Sequence, residues 1–307
     1  MKRITALVLT LILMLSLFGC IRISCSAPIR YSNADRYTAG DFTYDESKVK
    51  KVEIEWIAGS VKLRNAKGTL SVSETCDKEL SEGLQMHWWI DGTTLKIKYC
   101  KSGEKLSLFD IDKKDLTVEL PAFADLEIEI ASGYVQAEHM LDLGKLKLET
   151  ASGGADFQFL SAKEVKVDSA SGGLNFGQVS VSGEFEINTA SGGLSVNDIT
   201  ANEIDVNSAS GDISLGKITA EKVDIDNASG FVVLCLHSAN DVRIDSTSGG
   251  IRIKLDDKEG GAKIKFDAVS GNFNTALSVV NSGDLMTIGD GRINMEIKVV
   301  SGSVTVE

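Results

Sequence analysis

Seven carboxylates recur at matched places in a repeated part of this chain: Glu164, Glu184, Glu186, Glu203, Asp205, Asp224 and Asp226. Each lies three, five or seven residues before a Ser-Gly step. If the repeats stack, these side chains stack too. Like charges on neighbouring strands repel, so a patch that keeps them can take calcium through its oxygens or attract a cationic peptide. The same columns also read as a solvated face that keeps a long sheet soluble. Glu184, Glu186, Glu203, Asp205, Asp224 and Asp226 form the candidate binding face. Lys145, Lys147 and Lys166 lie towards one end of it, and Arg243, Lys263 and Lys265 towards the other.

Other chemistry is sparse. His87, His139 and His237 are the only histidines, and none stands in a readable nucleophile–histidine–acid arrangement. His237 falls at a wet corner of its repeat, where a lone imidazole lacks partners for metal or base work. Of the five cysteines, Cys20, Cys25, Cys76, Cys100 and Cys235, none shows zinc-type pair spacing. Cys76 and Cys100 can form a disulfide outside the cell if the fold brings them together, and Cys235 reads as a small packing residue. Trp89 is a candidate for stacking on a sugar ring. Alternation over Leu84–Ile90 places Leu84, Met86, Trp88 and Ile90 on one face, leaving Trp89 outward beside His87 unless a neighbouring loop covers it.

The elements that carry these residues follow from one period. Ser-Gly recurs at Ser132, Ser152, Ser171, Ser191, Ser210, Ser229 and Ser248, at intervals of 19 or 20 residues, with looser copies at Ser270 and Ser301. A fixed interval of this length is the signature of a solenoid. Before each step runs an alternating segment such as Glu203-Ile204-Asp205-Val206-Asn207, and after it a second, such as Ile213-Ser214-Leu215. Period two with β-branched residues predicts strands with one buried face. No helical period appears, and the interval is too short for two strands and a helix. The expected fold is all-β: a single-stranded parallel β-solenoid (β-helix) with 19–20-residue rungs, its like residues stacked about 4.8 Å apart. Glycine reaches positive φ without steric cost at the sharp corner, and serine bonds locally to the turn backbone.

Along the chain, residues 1–19 read as an export signal of the lipoprotein type. Lys2 and Arg3 precede an uncharged apolar run from Ile4 to Phe18, shorter than the roughly 20 residues that span a bilayer. Leu17-Phe18-Gly19-Cys20 resembles a lipobox, which makes Cys20 the expected acylated residue. Cleavage after Ala27 and an uncleaved N-terminal anchor are the alternatives, and all three place the bulk of the chain outside the cytoplasm. Residues 20–46 read as a flexible tether, 47–272 as the β-solenoid, and 273–307 as irregular C-terminal rungs and a cap, with a closing hairpin and a last rung at Ser301. A hairpin over Leu84–Tyr99, closed by Asp91-Gly92, interrupts the opening rungs. Net charge is −12, which argues against a nucleic-acid partner.

The chain resembles bacterial "putative adhesin" domains, a group of unknown function. The residues that carry the resemblance are Leu120-Pro121, the Ser-Gly steps from Ser132 to Ser270, Gly289-Asp290-Gly291 and Val300-Ser301-Gly302-Ser303-Val304. Ile57-Ala58-Gly59-Ser60-Val61 and Asp91-Gly92-Thr93-Thr94-Leu95 match the group's opening strands, so the resemblance covers about 47–307. It implies a β-solenoid on the bacterial surface, with relatives in envelope-stress systems and no established catalytic residues. The expectation is a non-catalytic, membrane-tethered, adhesin-like binding or structural module without a cofactor. Its expected partners are the membrane and a cell-wall glycan, an envelope protein or a cationic peptide. The alternative is a polysaccharide lyase or hydrolase on a parallel β-helix. Such an enzyme needs a cleft built by long loops, for which the 19–20-residue intervals leave room only at the irregular ends.

Overall fold

Alternating apolar and charged residues can bury one face only by stacking repeat on repeat, and the computed structural model shows this arrangement. It describes residues 28–106, 111–256 and 260–307. The chain opens with β1 (Thr38–Ala39), β2 (Phe42–Asp45), β3 (Lys51–Asn65), β4 (Thr69–Cys76), β5 (His87–Asp91), β6 (Thr94–Lys98) and β7 (Lys114–Leu120). The regular repeats supply β8 (Asp125–Asp142), β9 (Lys145–Ala162), β10 (Glu164–Ser171), β11 (Leu174–Val181), β12 (Glu184–Ser191), β13 (Leu194–Ser210), β14 (Ile213–Ser229), β15 (Val232–Ser238), β16 (Asp241–Ser248) and β17 (Ile251–Leu255). β18 (Ala262–Thr275), β19 (Val279–Ser282), β20 (Leu285–Ile288) and β21 (Ile293–Val306) complete it. Among the described residues no helix is long and apolar enough to cross a membrane.

The fold is the parallel β-solenoid that the period predicts. From β9 to β16 the first strands of successive rungs pair in parallel, so Val165, Phe185, Ile204, Val223 and Val242 form one inward column. Leu174, Leu194, Ile213, Val232 and Ile251 form another on the second strands. All ten of these side chains are buried. The serines stack as expected, Ser171 on Ser191, Ser191 on Ser210 and Ser229 on Ser248.

Both ends depart from sequence order. At the C-terminal end the rung carrying Ser301 is not the last in space. β21 lies between β16 and β18, with Ser301 paired to Ser248 on one side and Ser270 on the other. The hairpin of β19 and β20 carries the chain back, and the solenoid expected to end at 272 therefore includes 293–306 as an inner rung. The side chains fit this order. Met295, Ile297, Val299, Val304 and Val306 on β21 are all buried, whereas β18 offers Ala268, Phe273 and Thr275 at matching positions and leaves them more exposed. β20 covers β18 only over Ala262–Lys265, so the rest of β18 has a neighbour on one side alone and gains less burial than β21.

The N-terminal end repeats the device. β3 sits between β8 and the outer pair β6 and β7, so Val52 meets Leu126 on one side and Leu95 on the other. Antiparallel strands then finish the sheet, β4 on β7 and β2 on β4, with β5 on β6 and β1 on β5. Antiparallel additions of this kind blunt a parallel edge that would otherwise template further pairing.

The tether expected over 20–46 is corrected by these contacts. Ile29 N–H donates to the Glu104 carbonyl at 2.9 Å, the Tyr31 hydroxyl donates to the Cys100 carbonyl at 3.1 Å, and both β1 and β2 lie within the segment. Residues 29–45 are therefore tied to the solenoid end. Strands of two and four residues are too short to show a period, which is why the composition alone reads as linker. The proposed signal over 1–19 and Cys20 lie outside the described residues.

Candidate binding face

Inward columns fix the outward ones, because successive side chains of a strand point to opposite faces. The first strands therefore present three charged columns. One runs Lys145, Glu164, Glu184, Glu203, Lys222, Asp241; the register aligns Glu184 with Glu203 and Glu203 with Lys222. The second runs Lys147, Lys166, Glu186, Asp205, Asp224, Arg243. The third runs Glu149, Asp168, Asn188, Asn207, Asp226, Asp245.

All six acidic candidates thus share one face, but their charges are not equally open. Lys166 pairs with Glu186 at 2.6 Å, and Lys222 pairs with Glu203. Lys145 with Glu164, Lys147 with Glu127 and Glu149, and Arg243 with Asp245 neutralise the flanks. Among the described residues Glu184, Asp205 and Asp224 form no ion pair. Asp226 stacks between Asn207 and Asp245 in the third column.

Two residues that the sequence reading passed over organise the centre. Asn188 donates from Nδ2 to Asp168 at 2.9 Å and to Glu186 at 2.8 Å. Asn207 donates to Asp205 at 2.6 Å and to the Asn188 Oδ1 at 3.0 Å. Placed where a strict repeat would put carboxylates, the two amides supply donors and remove two negative charges.

Burial, with Asp224 and Glu186 adding repulsion, pushes the Asp205 carboxyl up to about 6. Burial and then the neighbouring carboxylates Glu186, Glu203 and Glu164 raise Glu184 as well. A carboxyl raised on folding holds its proton longer in the native state, so native stability from this group is greatest below its unfolded value of 3.8 and is lost as pH rises towards about 6. Asp205→Asn removes the penalty. The variant melts above wild type at about pH 7, and the gain disappears below about pH 4, in thermal scans across that range. An equal shift at both ends of the range would contradict this account.

The face becomes mixed in charge towards the C-terminal end. There the hairpin of β19 and β20 flanks a groove of about 660 Å³ lined in part by Asp224, Asp241, Arg243, Lys263, Lys265, Leu285 and Glu296. Among the described residues no group of three or more His, Cys, Asp or Glu side chains is arranged to hold a metal ion.

Trp89 is not brought to this patch. It lies on β5, six strand positions from β12, about 29 Å away at the strand spacing. It is half-buried, edge-on to Tyr37 at 5.7 Å, with the Lys96 Nζ 5.1 Å from its ring centroid. His87, expected beside it on the outer face, is buried instead and bonds the Gln85 carbonyl at 2.9 Å. Trp88 stacks on Phe42 of β2. His237 bonds Asp256 at 2.9 Å at an exposed corner, which holds the Asp256 carboxyl below its ordinary value. Cys76 and Cys100 carry free thiols, and burial pushes the Cys100 thiol up to about 11.

The sequence reading also missed Lys114. It occupies an inward position of β7 and is wholly buried, 2.8 Å from Glu74. It donates to the carbonyls of Leu84 and Tyr99 and lies over the rings of Tyr99 and Trp56. The signal was present: Lys114, Leu116, Val118 and Leu120 alternate as one inward face.

A stacked Ser-Gly corner with parallel rungs and inserted terminal strands can be compared with known domains. Residues 70–307 match the model of the family described as Toastrack DUF4097. The chain belongs to this family. Among solved structures the Toastrack chain is similar to a "putative adhesin" from Parabacteroides distasonis, with 12% identity over 88% of this chain and 97% of that one and a TM-score of 0.55. It also matches a "putative adhesin" from Bacteroides fragilis, with 14% identity over 87% and 96% and a TM-score of 0.41. The first likeness is one of fold. No curated protein matches the sequence.

Proposed function

We propose that this Toastrack chain is a non-catalytic, adhesin-like binding module of the bacterial cell envelope, held outside the cytoplasm by an N-terminal membrane anchor at Cys20. Its contact surface is the first-strand face. The observation that carries this reading is the trio Glu184, Asp205 and Asp224. These carboxylates share one face of the parallel strands, lack ion pairs among the described residues, and two of them, Glu184 and Asp205, are raised by burial and by repulsion from neighbouring carboxylates. A cationic partner relieves that repulsion, so a basic peptide or the basic segment of an envelope protein suits the patch better than a neutral glycan. The name of the Parabacteroides distasonis neighbour, a "putative adhesin", and the resemblance to envelope-stress proteins support a binding module of the envelope.

The test is retention of the purified protein on a lysine-rich peptide and on a panel of cell-wall glycans, with and without calcium, together with analysis for newly formed products. Peptide retention at low salt is expected. Combining Glu184→Gln, Asp205→Asn and Asp224→Asn lowers it about tenfold or more, and added salt weakens the wild type towards the variant. New glycan products would overturn the non-catalytic reading in favour of a lyase or hydrolase. Retention on glycans alone would overturn the cationic-partner assignment.

A further inference from the structure

Inside the rod the last inward position before six successive corners is polar. Thr150, Ser169, Thr189, Ser208, Asn227 and Ser246 stack in one column through the parallel register. Each is at most 5% exposed. The five hydroxyl oxygens and the Asn227 Oδ1 have no hydrogen-bond partner among the described residues. Apolar residues close the column, Ile130 against Thr150 at one end and Val299 against Ser246 at the other.

A column of six orphaned polar groups would cost an amount comparable to the whole stability of a typical domain, so these oxygens must be satisfied. As placed, they do not bond one another. Adjacent strands are about 4.8 Å apart, whereas hydroxyl hydrogen bonds are about 2.8 Å long. A water midway between two stacked oxygens, about 2.8 Å from each, makes an angle of about 118° at its own oxygen, close to the tetrahedral preference. Asn227 fits such a chain as an acceptor, because its Nδ2 already donates to the Gly230 carbonyl at 3.2 Å. Serine and threonine fit as either donor or acceptor.

We infer that the solenoid encloses a file of internal water molecules, one between each successive pair of these six side chains. The polar column is thus a binding site for water, sealed at both ends by Ile130 and Val299. It joins neighbouring rungs at their corners and leaves the outward columns free to vary. It is independent of the binding face, because it lies on the opposite side of the same strands.

Two measurements on the intact protein test it. Oxygen-17 magnetic relaxation dispersion counts long-lived internal waters. About four are expected in this column beyond those of a control carrying Ser169→Ala, Thr189→Val and Ser208→Ala, which keeps only the Asn227–Ser246 pair intact. Thermal melting of the single variants Thr189→Val and Ser208→Ala gives the sign. Removing a water-bridged hydroxyl lowers Tm by about 2–4 °C, whereas removing an orphaned hydroxyl raises it. No difference in long-lived waters, or a rise in Tm for both single variants, overturns the inference.

Discussion

Replacing Gly192 by alanine lowers stability by about 2–6 kcal/mol, while the same change at Gly193 costs no more than about 1 kcal/mol. Gly192 has a φ of +152° and closes the corner of a central rung. A Cβ there would lie 2.1 Å from the Gly172 carbonyl oxygen of the neighbouring rung. Backbone conformation and backbone crowding both oppose it, and the neighbour cannot yield without breaking its own stack. Next to it, Gly193 has no left-handed φ, and its nearest such contact is the Asp212 carbonyl at 3.7 Å. Urea unfolding of the two variants reads the difference in midpoint at unchanged slope. Equal midpoints would mean that the Ser-Gly corner is not what fixes the spacing between rungs.

That contrast marks what was legible in the sequence. The corner, the faces of the strands and the register of the central rungs all follow from one interval and one alternation, because a solenoid repeats the same local problem in each rung. The order of the terminal rungs does not follow. Ser270 and Ser301 both carry an acceptable corner, and only the relative burial of Val299 and Val304 against Ala268 and Phe273 shows which rung lies inside. The opening strands were illegible because pairing with β4 and β5, rather than their own pattern, holds Thr38–Ala39 and Phe42–Asp45 in place. At the candidate face the columns were legible but their neutralisation was not. Whether Glu186 or Asp205 keeps an open charge depends on Lys166 reaching across one rung and on Asn188 and Asn207 standing in a carboxylate column.

The Lys114–Glu74 pair yields the second large effect. Glu74→Gln leaves the Lys114 ammonium buried with no counter-charge, and costs about 3–5 kcal/mol at neutral pH. Adding Lys114→Met to that variant recovers most of the loss, because a buried pair replaced by an apolar group of similar volume is close to neutral. The pH dependence separates this from a packing defect. Burial lowers the Lys114 pKa from its ordinary value, while Glu74 opposes the shift. A lysine lowered on folding binds fewer protons in the native state than in the unfolded chain, so stability rises with pH between the folded and unfolded values. Removing the Glu74 charge lowers the folded value further and widens that window towards neutrality. The deficit of Glu74→Gln therefore shrinks as pH rises from about 7 to about 10, whereas the double variant shows no such recovery. Urea unfolding at the two pH values measures both slopes. A deficit independent of pH would show that Glu74 acts through its contact with the Met86 amide rather than by holding the buried charge. The aromatic rings of Trp56 and Tyr99 against Lys114 add cation–π attraction, which limits the loss but cannot replace a carboxylate at 2.8 Å. The pair closes the N-terminal end of the core beneath β4 and β7, so its failure loosens the end nearest the proposed anchor while the central rungs keep their register.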